Sequence, residues 1–345
     1  MSRIRSKTAT IQNYIVQSVG EEGDSLVNKV VEKFAISRQA ASRHVNRLVK
    51  ENILEAVGKT KGRKYRLLNT IQHELTIRLS PVLEEDRVWV QEVAPLVESF
   101  PQNIYQICYY GFTEMVNNAI DHSGAKALTF SVTANARHID LRVKDDGVGI
   151  FRKIKDAMNL PDERQAAMEL AKGKCTTDQE RHTGQGIFFT SRIFDLYEIY
   201  SHQLVFRHQL DPEHWTIERW ESEVDGTRVH MRLALSTNRT TKEVFDRFAS
   251  EDDDYEFSKT AVPLSLAKFG KEALVSRSQA KRILTRLEEF KEVDLDFEGV
   301  EFVGQAFADE IFRVYQRNHP ELHLGYSNAI TQVEKMIRRA MGSGA

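Results

Sequence analysis

The chain has 345 residues, with 48 Lys and Arg against 50 Asp and Glu, for a net charge of −2. Its only cysteines are Cys108 and Cys175, which excludes a disulfide framework and a cysteine-rich zinc site. No apolar run approaches the roughly 18 residues of a membrane-spanning helix, and the N-terminus lacks a signal peptide's apolar core. The expected location is therefore the cytoplasm, with no membrane partner.

The charge is unevenly spread. Residues 1–70 hold 14 Lys and Arg against 6 Asp and Glu, a net of +8, so the rest carries −10. A basic head on an acidic body points to a polyanionic partner for the head. Within it, Ile11, Ile15 and Val19 predict a helix over 9–19, and a second spans 25–34 with Ser25 as its cap. A third, 38–52, buries Ala41, Val45, Leu48 and Val49. Its other side presents Arg38, Gln39, Ser42, Arg43, Asn46 and Arg47, residue types that meet phosphates and base edges. An alternating stretch, 53–68, broken by Gly58–Lys64, predicts a hairpin whose basic tip carries Lys61 and Arg63. This order over residues 5–68 resembles the winged helix-turn-helix family. The resemblance implies binding of double-stranded DNA through those eight polar residues, and a homodimer where two half-sites are read. Residues 1–69 form the expected head.

Residues 70–100 are charged, carry Pro81 and Pro95, and are expected to be a helical connector. The string His73-Glu74-Leu75-Thr76 is similar to a histidine-kinase phosphoacceptor box. Too little chain follows it, however, for the long two-helix hairpin such a box needs.

The most informative stretch is Tyr110–His122, YGFTEMVNNAIDH. On a helix, Glu114, Asn118 and Asp121 or His122 share one face, while Ile104, Ile107, Cys108, Met115 and Ala119 share another. An Asn four residues after a Glu suits a Mg²⁺ ion that keeps several waters, and the Glu can orient or deprotonate a nucleophile. Strands are predicted at 128–133 and 138–143. The second leads into Asp145-Asp146-Gly147-Val148-Gly149, which puts a carboxylate on a pocket floor beside glycines. Thr183-Gly184-Gln185-Gly186 opens an apolar helix expected to reach Ile199, and its backbone N–H groups could cradle phosphates. A late strand begins at Asp225-Gly226-Thr227. Gly173-Lys174-Cys175 is no P-loop, because the hydroxyl residue required after the Lys is a Cys.

These four pieces, in this order, resemble the ATPase fold shared by gyrase, Hsp90, histidine kinases and MutL, the GHKL family, over about residues 100–236. The resemblance implies ATP and Mg²⁺ as cofactors, Glu114 as the catalytic carboxylate and Asn118 as the metal ligand. It also implies Asp145 for the adenine amino group with Thr227 in support, Gly147 and Gly149 along the base, and Gly184 and Gly186 on the phosphates. Asp121 and Thr183 complete the expected cofactor set. A lid over 151–182, carrying Lys172, Lys174 and Arg181, would close on the phosphates, with Lys174 as its contact. The helix sequence is most similar to the anti-sigma serine kinases.

The expected divisions are an ATP-binding domain over 101–240, an acidic linker over 241–259 and a tail over 260–345. In the tail, strands and helices alternate as βαβαβα. The segment VDLDFEGVEFVGQAFADEIF (293–312) resembles the STAS family of anti-sigma-factor antagonists, especially a STAS-like type attached to GHKL domains. Gly304, Gln305 and Ala306 stand where an antagonist's phosphorylatable residue would be, so a docking or dimerising module for a regulatory protein partner is expected. The fold expectation is an α+β multidomain chain: winged-helix head, GHKL α/β sandwich (the Bergerat ATP-binding fold) and STAS-like tail. Its expected function is ATP-modulated DNA binding with slow hydrolysis. The alternatives are a serine/threonine protein kinase and a stress- or phage-response effector that docks on protein.

Overall fold

The computed structural model describes residues 2–20, 26–58, 63–80, 82–175, 184–249, 257–268 and 272–342. The chain divides into two units: Met1–Leu75 with Ser131–Leu141 and Arg232–Thr237, and the remainder.

In the first unit, apolar residues at helical spacing build α1 (Ser2–Ser18), α2 (Leu26–Phe34) and α3 (Arg38–Lys50). Ser37 caps α3 by accepting the Ala40 N–H at 3.2 Å. Antiparallel β1 (Leu54–Val57) and β2 (Lys64–Leu67) follow, pairing Leu54 with Leu67. Ile11, Ile15, Val30, Ala41, Val45, Leu48 and Leu54 close one buried core. The 131–141 hairpin belongs to this unit. Arg137 at its turn donates to the Val16 carbonyl and, at 2.8 Å, to that of Val19, satisfying carbonyls at the end of α1. The expected cap Ser25 and the tip residue Lys61 lie outside the described residues.

The 70–100 connector is not helical throughout. β3 (Ile71–Arg78) occupies its start, because Ile71, His73, Leu75 and Ile77 alternate with more exposed neighbours at the period of a strand. Helix begins at α4 (Glu85–Val88) and continues through a π-helical turn, Trp89–Val93, into α5 (Ala94–Val97). Next come α6 (Gln102–His122), β4 (Ala127–Ala134), β5 (His138–Asp145), α7 (Ile150–Ala157), α8 (Glu163–Lys172) and α9 (Gly186–Ile193). The long strands β6 (Leu196–Leu210) and β7 (Glu213–Ala234) complete a sheet ordered β3-β4-β5-β7-β6. The boundary between units passes through β3, β4, β5 and β7. Two expectations are corrected here: α9 stops at Ile193 rather than Ile199, and the strand expected from Asp225 starts at Glu213. α6 buries Ile104, Ile107, Cys108, Phe112, Met115 and Val116. Gly111 lets it pass close to Phe194, where a Cβ would come within 2.4 Å of the ring.

The acidic linker is corrected as well. α10 (Thr241–Phe248) forms there under a reciprocal cap: Thr240 Oγ1 accepts the Glu243 N–H at 3.2 Å, and the Glu243 carboxylate accepts the Thr240 N–H at 2.9 Å. The acidic run 251–254 lies outside the described residues. The C-terminal module has three parallel strands, β8 (Lys259–Pro263), β9 (Glu292–Asp296) and β10 (His323–Ser327), in the order β10-β9-β8 with Thr260, Val293 and Leu324 in register. Parallel strands need crossovers. Here α11 (Arg277–Leu284), then α12 (Gln305–Asp309) joined by a π-helical turn to α13 (Gln316–Asn318), supply them, and α14 (Thr331–Gly342) closes the chain.

The module is packed on α8, whose residues from Gln165 to Lys172 are all buried. Lys172 donates to Glu169 at 2.7 Å and to the carbonyl of Thr285 at 2.9 Å. Arg192 of α9 bonds the carbonyls of Ala171 and Ala261, both at 3.0 Å.

Candidate functional site

A cavity of about 850 Å³ opens beside α6, within the range of small-molecule and cofactor sites. Tyr110, Glu114, Asn118 and His122 line it at intervals of four residues. At a helical rise of about 1.5 Å per residue, that row is roughly 18 Å long.

Burial pushes the Glu114 carboxyl above its usual range, and the charge of Glu85 adds to the effect. The carboxylate lies against the start of α9: a Cβ on Gly186 would stand 2.0 Å from Glu114 Oε2, so a side chain there would force the carboxylate to move. One turn along α6, Asn118 Nδ2 is buried without a hydrogen-bond partner. An orphaned buried amide is costly in a folded protein and is an invitation to a ligand.

Asp145, at the end of β5, is 7% exposed. Burial pushes its pKa up. The Gly147 N–H at 2.8 Å and the Thr227 N–H at 3.3 Å, both donated to Oδ1, oppose that rise. Thr227 Oγ1 accepts the Ile150 N–H at 3.0 Å and so ties β7 to α7. Gly149 precedes α7 at φ 85°, where a side chain would also meet Ser201 Oγ.

Glu114, Asn118, Asp145, Gly149, Gly184, Gly186 and Thr227 all line this one cavity. Three expected residues do not. Asp121 is exposed, and His122 takes the wall position, because one residue on a helix turns the side chain by about 100°. Gly147 sits behind the wall, in a loop pressed so close that a Cβ would come within 2.2 Å of the Ser123 carbonyl. Lys174 turns toward the C-terminal module, donating to the Glu289 carbonyl at 2.7 Å with its amine 5.0 Å from the Phe290 ring centre. In the expected lid, Lys172 is buried against Glu169 rather than facing the cavity. Thr183 and Arg181 lie outside the described residues.

Sequence reasoning missed Lys153, whose amine donates to the His122 carbonyl, and the wall supplied by Phe245 and Phe257. The Thr240–Glu243 spacing ahead of Val244, Phe245 and Phe248 was the available signal for α10.

On the head, Arg38, Gln39, Arg43, Asn46 and Arg47 are exposed on α3, and Ser42 is half-buried. Arg47 pairs with Glu51 at 2.8 Å. Burial, then Arg47 and Arg43, push the His44 pKa down, a sign of local positive potential. Arg63 is exposed, 5.7 Å from the Tyr65 ring centre.

Among the described residues, no group of three or more His, Cys, Asp or Glu could hold a metal ion, and no helix is long and apolar enough to cross a membrane. Residues 279–334 match the family described as a STAS-like domain of unknown function, so the C-terminal module contains a STAS-like domain. No curated protein matches the chain. Among solved structures, the crystal structure of the Thermotoga maritima IclR is similar at 10% identity, covering 71% of this chain and 93% of that one. Its TM-score of 0.20 is too low to carry an argument.

Proposed function

We propose that the cavity binds Mg-ATP in the manner of the GHKL fold, and that occupancy modulates DNA binding by a winged-helix head. One observation carries the reading. Glu114 faces the glycine-led N-terminus of α9 while Asn118, one turn away, leaves a buried Nδ2 donor without a partner, a group that suits an acceptor such as a phosphate oxygen. A Mg²⁺ ion that keeps most of its waters needs few protein ligands, and the side-chain oxygens of Asn118 and Glu114 stand on one wall of the cavity.

Asp145 accepts from the adenine amino group, and Thr227 holds the carboxylate and the α7 start in place. The N–H groups at Gly184 and Gly186 meet the phosphates. Asn118, through Oδ1, would hold the ion, which would supply charge neutralisation at the phosphates. Glu114, with its raised pKa, would orient water or take its proton. On the head, the exposed face of α3 and Arg63 meet DNA phosphates and base edges. A homodimer reading two half-sites follows if the operator is two-fold symmetric.

Titrating the full-length protein with Mg-ATP by calorimetry tests the pocket. Asp145→Asn is expected to weaken binding by about 10- to 100-fold, the worth of a charged hydrogen bond. Glu114→Gln is expected to bind ATP but release no phosphate. Undiminished affinity in Asp145→Asn would refute the pocket assignment. DNA retention with and without Mg-ATP, at two salt concentrations, tests the coupling. Retention indifferent to nucleotide would end that part of the proposal.

A further inference from the structure

The peptide between Lys174 and Cys175 is gripped from both sides. Its carbonyl accepts Nη2 of Arg286, from the STAS-like domain, at 2.5 Å. Its N–H donates to the Gly184 carbonyl at 3.2 Å. Gly184 lies flat on the same peptide: at φ 67°, a Cβ there would meet Cys175 N at 2.6 Å and Lys174 C at 2.7 Å. Gly184 lines the cavity two residues ahead of Gly186, which touches Glu114.

The guanidinium is itself fixed. Its Nε and Nη2 each donate to the Glu289 carboxylate at 2.8 Å, a two-point fork that sets its plane. Nη1 stands 3.5 Å from Glu169 Oε2, an oxygen with no hydrogen bond of its own. The gripped backbone is also strained. Gly173 and Lys174 have φ 88° and 51°, and the second is unfavourable for a residue with a side chain. Such a conformation persists only where surrounding contacts over-determine it, and Arg286 is a principal contact on the carbonyl side.

We infer that Arg286 is a positioning residue for the nucleotide site: through the Lys174–Cys175 peptide, the STAS-like domain sets the glycine segment that meets the phosphates. The inference rests on the nucleotide reading above. It gives the STAS-like domain a part in ligand binding within its own chain. The base end of the cavity, at Asp145 and Thr227, is reached by other elements and does not depend on this contact.

That asymmetry supplies the test. Arg286 itself has φ 62°, so Arg286→Gly removes the guanidinium without straining the backbone. Full-length wild type, Arg286→Gly, Arg286→Lys and Asp145→Asn are titrated by calorimetry with Mg-ATP and with adenosine, beside their melting temperatures. Arg286→Gly is expected to lose about tenfold in ATP affinity, with adenosine changed by less than about twofold. Arg286→Lys, which keeps the charge but not the fork, should restore part of the loss. An equal loss for both ligands would mean a merely structural role, and unchanged ATP affinity would remove the contact from the site; either overturns the inference. If wild type binds ATP and Asp145→Asn weakens both ligands, the nucleotide reading stands whatever Arg286 does. If wild type binds neither ligand, the reading and the inference fall together.

Discussion

Two ion pairs of almost equal length occupy two different regions. On α3, Arg47 and Glu51 meet at 2.8 Å with 59% and 40% of their side chains exposed. On α8, Glu169 and Lys172 meet at 2.7 Å with 0% and 1% exposed. Exposed pairs are worth about 0–1 kcal/mol, because water and salt screen them. Removing one member of a buried pair strands a charge and costs about 3–5 kcal/mol. The pair on α3 therefore adds little to stability, whereas the pair on α8 holds a buried wall.

Lys172→Met should break that comparison most severely, lowering unfolding free energy by about 3–5 kcal/mol in denaturant titration. Joint replacement of Glu169 and Lys172 by Met should cost much less, since no charge is then left alone. A single variant as stable as wild type would show that Arg286, 3.5 Å from Glu169, suffices as its counter-ion. Next, Gly186→Ala pushes a methyl toward Glu114 and should displace its carboxylate at little cost in stability. It should also depress ATP affinity.

Glu198 tests a partly buried charge. Burial would raise its pKa, but bonds from His230 at 2.9 Å and Arg207 at 2.6 Å outweigh that and hold it at about 2, below the usual 4.5. A depressed carboxylate stabilises the fold above its unfolded pKa and loses that contribution as pH falls. Melting temperature between pH 4.5 and about 2 should therefore fall less steeply in Glu198→Gln than in wild type. Parallel curves would place the acid sensitivity elsewhere. The smallest stability effects belong to the head: Arg43→Ala and Arg47→Ala should each stay within about 0.5 kcal/mol. Each should nevertheless reduce the salt slope of DNA retention by about 1. An unchanged slope for both would remove α3 from the proposed DNA interface.

What was legible follows the range of the signal. Glu114 and Asn118 could be read as neighbours because a helix brings residues four apart onto one side. β3 could have been read too. Ile71, His73, Leu75 and Ile77 alternate plainly, but the charges and prolines of the wider stretch masked a local period of two. α10 was hidden in the same way, its cap obscured by acidic composition. Asp121 against His122 was a choice between adjacent positions, settled by which side of α6 packs on the sheet.

Lys174 illustrates the other kind of limit. It stands among glycines near the cavity in sequence, yet Glu289 draws its amine away, and Arg286, 112 positions along the chain, holds its carbonyl. By itself, the sequence determined the helix faces, the strand periods and the glycines at close approaches, since each depends on neighbours within about one turn or one pleat. Only the tertiary structure decided that α10 and Phe257 wall the cavity and that an arginine of the STAS-like domain reaches its glycine segment. Such contacts join residues whose separation along the chain says nothing about their distance in space, and they hold because buried polar groups must find partners wherever the fold brings one within reach.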